Sequence, residues 1–496
     1  MGQTYSRNSA CSDIMSTEKN SVTDFIDIML SIFDSKQPMN RRAMLQIGGL
    51  GLAGATGLDL SQLLAAKAEK NHYTTGKSVI FLLQHGGPTQ HETFDPKMDV
   101  DEAIRTVGGV TQTKIPGVHF GRSLSRLAGL ADKLAIVRSY VGGSSGHGIR
   151  PIVSNETLRA NLGSVYARLV TTNHSTTGIP TNIAIDPTAV EPKDNGPDVR
   201  FGTFVQTGEL EKMYAPFVPG GGSNMQKNMQ LALPISRFDD RKGLLQSLDA
   251  LKSEIDSTGV LEGVGKFREQ AYDMLIRGVA EAFDVTKEDP ATLARYDTSH
   301  FISDTKYVDK KNGMSERHWY QTNARTLGRL LLLARRLCEA GAGFVTVTTQ
   351  FVWDMHADRN NLGVGRGMEA VGNPYDHAVS AFIEDCEARG LSDDIMLVST
   401  GEMGRTPRIN KNGGRDHWGR IAPLMVYGGG VTHGQIIGQS TKDGGEPITS
   451  PWKNENLVAT MLHNLFDIGE LRLESGLPVD LVRFATTGTP ISGLTI

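Results

Sequence analysis

The sequence predicts an α/β fold, with a mostly parallel central sheet and helices on both of its faces. Three observations predict it. Short apolar runs rich in β-branched and aromatic residues recur along the chain. The first of them ends abruptly in a glycine loop, the usual way such folds present chemistry at the carboxyl edge of a sheet. Between several of the runs lie apolar residues at helical spacing, and strands alternating with helices argue for a covered, parallel sheet.

The elements follow in order. Lys77 to Leu83 is the first strand, emptying into Gln84-His85-Gly86-Gly87-Pro88. Leu134 to Val137, Asn182 to Ile185, Phe344 to Thr348, Ile395 to Thr400 and Leu424 to Tyr427 read the same way. Helical spacing appears in Leu244, Leu245, Leu248, Leu251 and Ile255, then in Leu327, Leu330, Leu331 and Leu337, then in Ala378, Val379, Phe382, Ile383 and Cys386. The stretch from Pro187 to Gly222 is rich in Gly, Pro and Asn, and Asp239 to Asp297 reads as helices. Together they predict an insertion over the sheet at about 187–315, inside one large domain of residues 77–496. No internal repeat or low-complexity tract interrupts it.

Composition bounds the function. With 496 residues, 39% hydrophobic and 21% charged, the chain can bury a substantial core. A net charge of -4 and a pI near 6.4 offer no basic face for nucleic acid. Of the three cysteines, Cys11 falls in a segment expected to be removed, while Cys338 and Cys386 fall in helical patterns, where a small buried hydrophobe is the expected role. Met39-Asn40-Arg41-Arg42, the mild apolar run Gln46 to Leu58 and Ala66-Lys67-Ala68 have the order of a secretory signal, too short and mild to span a bilayer. The paired arginines resemble a twin-arginine leader over residues 39–68, which implies export of the folded chain by that machinery to the periplasm or beyond. Residues 1–38 read as a disordered polar extension, and Met39 as a candidate initiator.

Metal-ligand residue types gather in three clusters at or after strand ends. Asp354 and His356 stand two apart after the strand Phe344 to Thr348, a spacing that in extended chain points both the same way. Glu402 follows the strand Ile395 to Thr400, either as a ligand or as a carboxylate neutralised by Arg405. Arg415, Asp416 and His417 share a glycine-hinged loop. There Arg415 is a candidate anion clamp, with Asp416 and His417 as ligands or proton carriers, or else as a hydrogen-bonded turn. Thr89, after the first-strand glycines, is either a nucleophile beside an oxyanion site or an N-cap. His147, in the loop Gly142 to Gly148, is a further candidate for the same site, ranked behind the others.

These motifs carry a resemblance. From Met39 to the C-terminus the chain resembles the bacterial family called domain of unknown function 1501, grouped with the alkaline-phosphatase and sulfatase superfamily. It does so through the leader, Gly86-Gly87-Pro88 to Asp95-Pro96-Lys97, Trp353-Asp354-Met355-His356, Gly401-Glu402-Met403-Gly404-Arg405-Thr406-Pro407 and Gly414-Arg415-Asp416-His417-Trp418. The resemblance implies an alkaline-phosphatase-like fold and a divalent-metal site of the kind that often holds zinc. Its ligands would come from Glu92, Asp354, His356, Glu402, Asp416 and His417, with Thr89, Arg405 and Arg415 as the catalytic groups. Where the superfamily ends its first strand in Asp, this chain has Gln84 and His85, and its usual strand-end Asp-His pair is replaced by Glu402-Met403. Two functions follow. One is a metal-dependent hydrolase of phosphate or sulfate esters, acting on a small-molecule or polysaccharide ester. The other is a non-catalytic exported protein that binds an anionic ligand such as a sulfated polysaccharide.

Overall fold

The structure is a computed structural model and describes residues 72–194, 196–219, 279–305 and 317–494. The leader, the extension before it and the helical pattern from Leu244 to Ile255 lie outside the described residues. Nine strands set the frame: β1 Ser78–Leu83, β2 Leu134–Val137, β3 Asn182–Ile185, β4 Phe344–Thr348, β5 Ile395–Thr400, β6 Gly404–Ile409, β7 Arg415–Trp418, β8 Leu424–Gly428 and β9 Gln435–Ile437. Seven of them form one sheet in the order β9-β2-β8-β5-β1-β4-β3, and β6 and β7 pair separately as an antiparallel hairpin. Within the sheet β1 runs parallel to β4 and β5, β3 to β4, and β9 to β2. Only β8 is reversed, antiparallel to β2 and β5.

Helices cover both faces, and β1 shows why. All six of its residues are buried, and alternation sends successive side chains to opposite sides. Ile80 and Leu82 pack with Leu330 and Leu331 of α2 (Arg317–Glu339) and Phe382 and Ile383 of α3 (Asn373–Arg389). Val79, Phe81 and Leu83 pack with Val165 of α1 (Leu162–Leu169) and Met461 and Leu462 of α4 (Asn454–Leu465). Each such side chain contributes about 1.5–3 kcal/mol. A slip of one residue would exchange the two faces, so the register is strongly fixed. Cys338 and Cys386 are free buried thiols on α2 and α3, acting as small hydrophobes.

The described parts of 187–315 hold 3-10 turns at Pro187–Ala189, Val199–Phe201, Lys212–Tyr214 and Val279–Glu281 and the short helix Pro290–Arg295. Among the described residues no helix is long and apolar enough to cross a membrane. One local expectation is corrected: Arg415 to Trp418 is not loop but strand β7.

Because β5, β1 and β4 are neighbours and parallel, their carboxyl ends lie side by side. Backbone bonds stitch the loops beyond them together: Gln84 N–H donates to the Thr400 carbonyl at 2.9 Å, and Trp353 N–H to the His85 carbonyl at 3.1 Å.

Candidate functional site

Strand-end loops bring the site together. After β1 the chain turns at Gly86, whose φ of +116° and contact with the Asp354 backbone nitrogen, 2.4 Å from where a Cβ would stand, leave room only for glycine. Its N–H donates to both Glu402 carboxylate oxygens, at 3.0 and 3.2 Å, fixing a side chain that is wholly buried just past β5. Gly142 approaches the Glu402 carbonyl just as closely, which brings in the loop that carries His147.

His147, Asp354 and His417 then converge, with one ligand atom from each lying within 4.8 Å of the others. His147 Nε2 stands 3.1 Å from His417 Nε2 and 3.6 Å from Asp354 Oδ2, and His417 Nε2 stands 3.2 Å from Asp354 Oδ1. Four ligands about 2.0–2.1 Å from one tetrahedral ion are separated by roughly 3.3 Å, which these edges approximate. The opposite nitrogens are committed. His147 Nδ1 meets the Glu402 carboxylate at 2.9 Å, and His417 Nδ1 meets the Ser145 carbonyl at 3.2 Å. Both partners only accept, so each Nδ1 has a place for a hydrogen, and a neutral ring so arranged presents its Nε2 lone pair to the other two groups. Two imidazole nitrogens and a carboxylate facing one another at these distances suit a shared proton or a cation. Imidazoles held from behind by a carboxylate and a carbonyl are the usual outer arrangement of a metal site, so the donors fit a cation.

The Asp354 carboxylate is the hub. Its Oδ1 accepts from Arg405 Nη2 at 2.7 Å, and its Oδ2 from His356 Nε2 at 3.0 Å and Asn361 Nδ2 at 3.1 Å. Burial alone would raise its pKa, but hydrogen bonds from His356 and His417 and the Arg405 charge outweigh burial and hold it well below the usual carboxylate range. His356 moves up, chiefly through its bond to Asp354, with burial opposing and the Asp354 and Asp358 charges adding to the rise.

The structure thus brings Asp354, His356 and His417 together. It sets Glu402 one step back, behind His147 rather than among the inward-facing donors. Arg405 is wholly buried on Asp354 and the carbonyls of Gly86, Gly87 and Arg415, so it neutralises and positions the carboxylate and has no surface for an anion. Asp416 goes elsewhere. Strand alternation turns its exposed carboxylate outward onto Asn410 Nδ2 at 2.9 Å while its neighbours point inward.

Glu92, Arg415 and Thr89 form a separate buried knot. Arg415 Nη2 and Nε bind the Glu92 carboxylate at 2.9 and 3.0 Å, the Thr89 hydroxyl donates to it at 2.5 Å, and the Val107 N–H at 3.1 Å. Arg415 is also on the carbonyls of Pro407 and Ile104, so the structure places the expected anion clamp, the expected ligand Glu92 and the expected nucleophile Thr89 in a buried ion pair with its hydroxyl partner, apart from the triad.

His147, ranked low from sequence, is a member of the triad, and its only local signal was an imidazole between glycines after a strand. Its ring is walled by Phe351 at 4.6 Å and Phe201 at 5.2 Å. Neither phenylalanine, nor Asn361, had a motif that could have announced it.

Among the solved structures that the chain matches is the PsFucS1 sulfatase from Pseudoalteromonas sp. It is 10% identical with a TM-score of 0.33, over 82% of this chain and 70% of that one. Another is a phosphonate monoester hydrolase of Agrobacterium radiobacter, 12% identical with a TM-score of 0.29, over 84% of this chain and 78% of that one. No curated protein matches the chain in sequence. A family match extends over residues 76–472, through the first strand, the site loops and the last strands of the sheet. The chain therefore belongs to the DUF1501 family, described as proteins of unknown function.

Proposed function

We propose that this protein is an exported hydrolase of phosphate or sulfate esters that works with a divalent cation held by His147, Asp354 and His417. One observation carries the reading: two imidazole Nε2 atoms and a carboxylate face one another with both Nδ1 atoms already engaged. Zinc accepts such a set of two imidazoles and one carboxylate. When bound, such an ion supplies Lewis-acid charge to an ester oxygen and activates the nucleophile.

The chain's own groups do the rest. Glu402, locked by Gly86, keeps the His147 ring oriented, while Arg405 and Asn361 hold Asp354 ionised and still. His356, half-buried on Asp354, is placed to carry a proton. With Thr89 sealed against Glu92, attack on the ester falls to water rather than to a hydroxyl of the first-strand loop. Export rests on the leader at residues 39–68, and reporter fusions with and without Arg41→Lys/Arg42→Lys test it.

The hydrolase reading is tested by assaying aryl phosphate and aryl sulfate with zinc-loaded wild type and His147→Ala. Turnover in the first and none in the second is expected. A second reading, a non-catalytic binder of an anionic ligand, is favoured by the burial of Thr89, Arg405 and Arg415, which removes the nucleophile and both anion-holding groups foreseen from sequence. Metal-loaded protein that binds such esters without cleaving any of them would establish it.

A further inference from the structure

The arginines around the site differ in one respect. Arg405, Arg415 and Arg200 each have a carboxylate partner, in Asp354, Glu92 and Asp198. Arg150 does not. Among the described residues its guanidinium makes no hydrogen bond, ion pair or ring contact, although the side chain is partly buried. A cation drawn away from water is ordinarily paired, because its lost hydration has to be replaced.

The place of Arg150 in the chain ties it to the triad. It stands three residues after His147, on a loop of residues 142–151 that is fixed to the site at several points. Gly142 lies against the Glu402 carbonyl, the Ser145 carbonyl is 3.2 Å from His417 Nδ1, and His147 Nδ1 meets the Glu402 carboxylate at 2.9 Å. Ile149 is buried, with its Cγ1 3.0 Å from where a Cβ of Gly202 would stand, which seats the loop against the end of the turn that carries Phe201. The Val153 N–H donates to the Ile149 carbonyl at 3.2 Å and closes the chain around Arg150. The Arg150 stem folds back along the loop, its Cγ 3.9 Å from where a Cβ would stand on Gly148, the neighbour of His147. Three residues of chain span no more than about 11 Å, so a guanidinium on a stem turned this way is within reach of a ligand at the triad.

We infer that Arg150 is a specificity residue for the site, donating to an anionic oxygen of the phosphate or sulfate group whose ester lies at His147, Asp354 and His417. A charge held without a partner in the chain is the one that an arriving oxyanion can pair with at no cost in broken contacts. The inference rests on the hydrolase reading for what happens to the bound ester, but not for the binding of the anion.

The test measures calorimetric binding of inorganic phosphate and of inorganic sulfate to zinc-loaded wild type, Arg150→Met and Arg150→Lys. Zinc content and melting temperature are recorded for each. Wild type is expected to bind at least one of the two anions and to be stabilised by it. Met should lower that affinity about 10- to 100-fold with zinc content unchanged, in line with the loss of a charge-assisted hydrogen bond, and Lys should restore part of it. The anion whose affinity depends on Arg150 tells phosphate from sulfate as the group held. A Met variant that binds as tightly as wild type, a Lys variant no better than Met, or a wild type that binds neither anion overturns the inference. Binding that depends on Arg150 in a protein that cleaves neither aryl phosphate nor aryl sulfate would uphold it and sink the hydrolase reading. Cleavage with KM and anion affinity unaltered in the Met variant would do the reverse.

Discussion

The Nε2 atoms of His147 and His417 stand 3.1 Å apart, each on a ring whose Nδ1 is held from behind, one by the Glu402 carboxylate and the other by the Ser145 carbonyl. Rings held in this way keep both Nε2 atoms aimed at the same point. The outer partner thus sets the affinity of the inner site. Glu402→Gln is expected to weaken zinc binding about 10- to 100-fold, read by competition with a chromophoric chelator. Unaltered affinity would remove Glu402 from the account.

Arg405 is wholly buried with Asp354 as its charged partner. Replacing it with Met leaves that carboxylate without its cation, at an expected cost of about 3–5 kcal/mol in urea unfolding. An arginine whose role was only to hold substrate would give wild-type stability.

Thr89 and Asp416 test the placement of the expected site residues from two sides. Thr89→Val removes a hydroxyl donated to a buried carboxylate and should cost roughly 1–3 kcal/mol while leaving zinc content intact. Unchanged stability with abolished turnover would restore Thr89 as a nucleophile. Asp416→Ala should shift stability by no more than about 0.5 kcal/mol and leave zinc content unaltered, because the carboxylate is exposed and, among the described residues, bonded to Asn410.

His91 gives the fold a pH dependence of known sign. Burial first, and the Arg415 charge second, push its imidazole down to about 4. Above pH 6.5 it is neutral folded or unfolded. As pH falls from there towards 4, the unfolded chain takes up the proton first, and stability of on the order of 3 kcal/mol is lost. His91→Gln keeps a donor for the Asp443 carbonyl, which His91 Nε2 reaches at 2.7 Å, and should flatten the fall in melting temperature between pH 7 and pH 5. A variant as acid-sensitive as wild type would assign that sensitivity to other groups.

The strands of the sheet were largely legible because a fully buried strand must be apolar at every position: Leu134–Val137, Asn182–Ile185 and Phe344–Thr348 stand where the sequence put them. The reversal of β8 was not legible, since an apolar run has no direction. In the site, Asp354, His356 and His417 announced themselves by residue type near strand ends. Glu92 and Arg415 share the same residue types, yet they found each other across the fold, a pairing that no local pattern encodes. Asp416 faces away from its inward-turned neighbours because a strand sends alternate residues to opposite sides where a loop was expected. His147 depends on how the Gly142 loop packs against Glu402, a contact between residues far apart in the chain.

The most direct measurement is metal analysis of the purified chain after equilibration with buffered zinc, wild type beside His417→Ala, with circular dichroism to confirm equal folding. The account predicts a stoichiometric divalent ion in the wild type and its loss from the variant. Wild-type protein that retains no ion, or a variant that retains as much as the wild type, would contradict it.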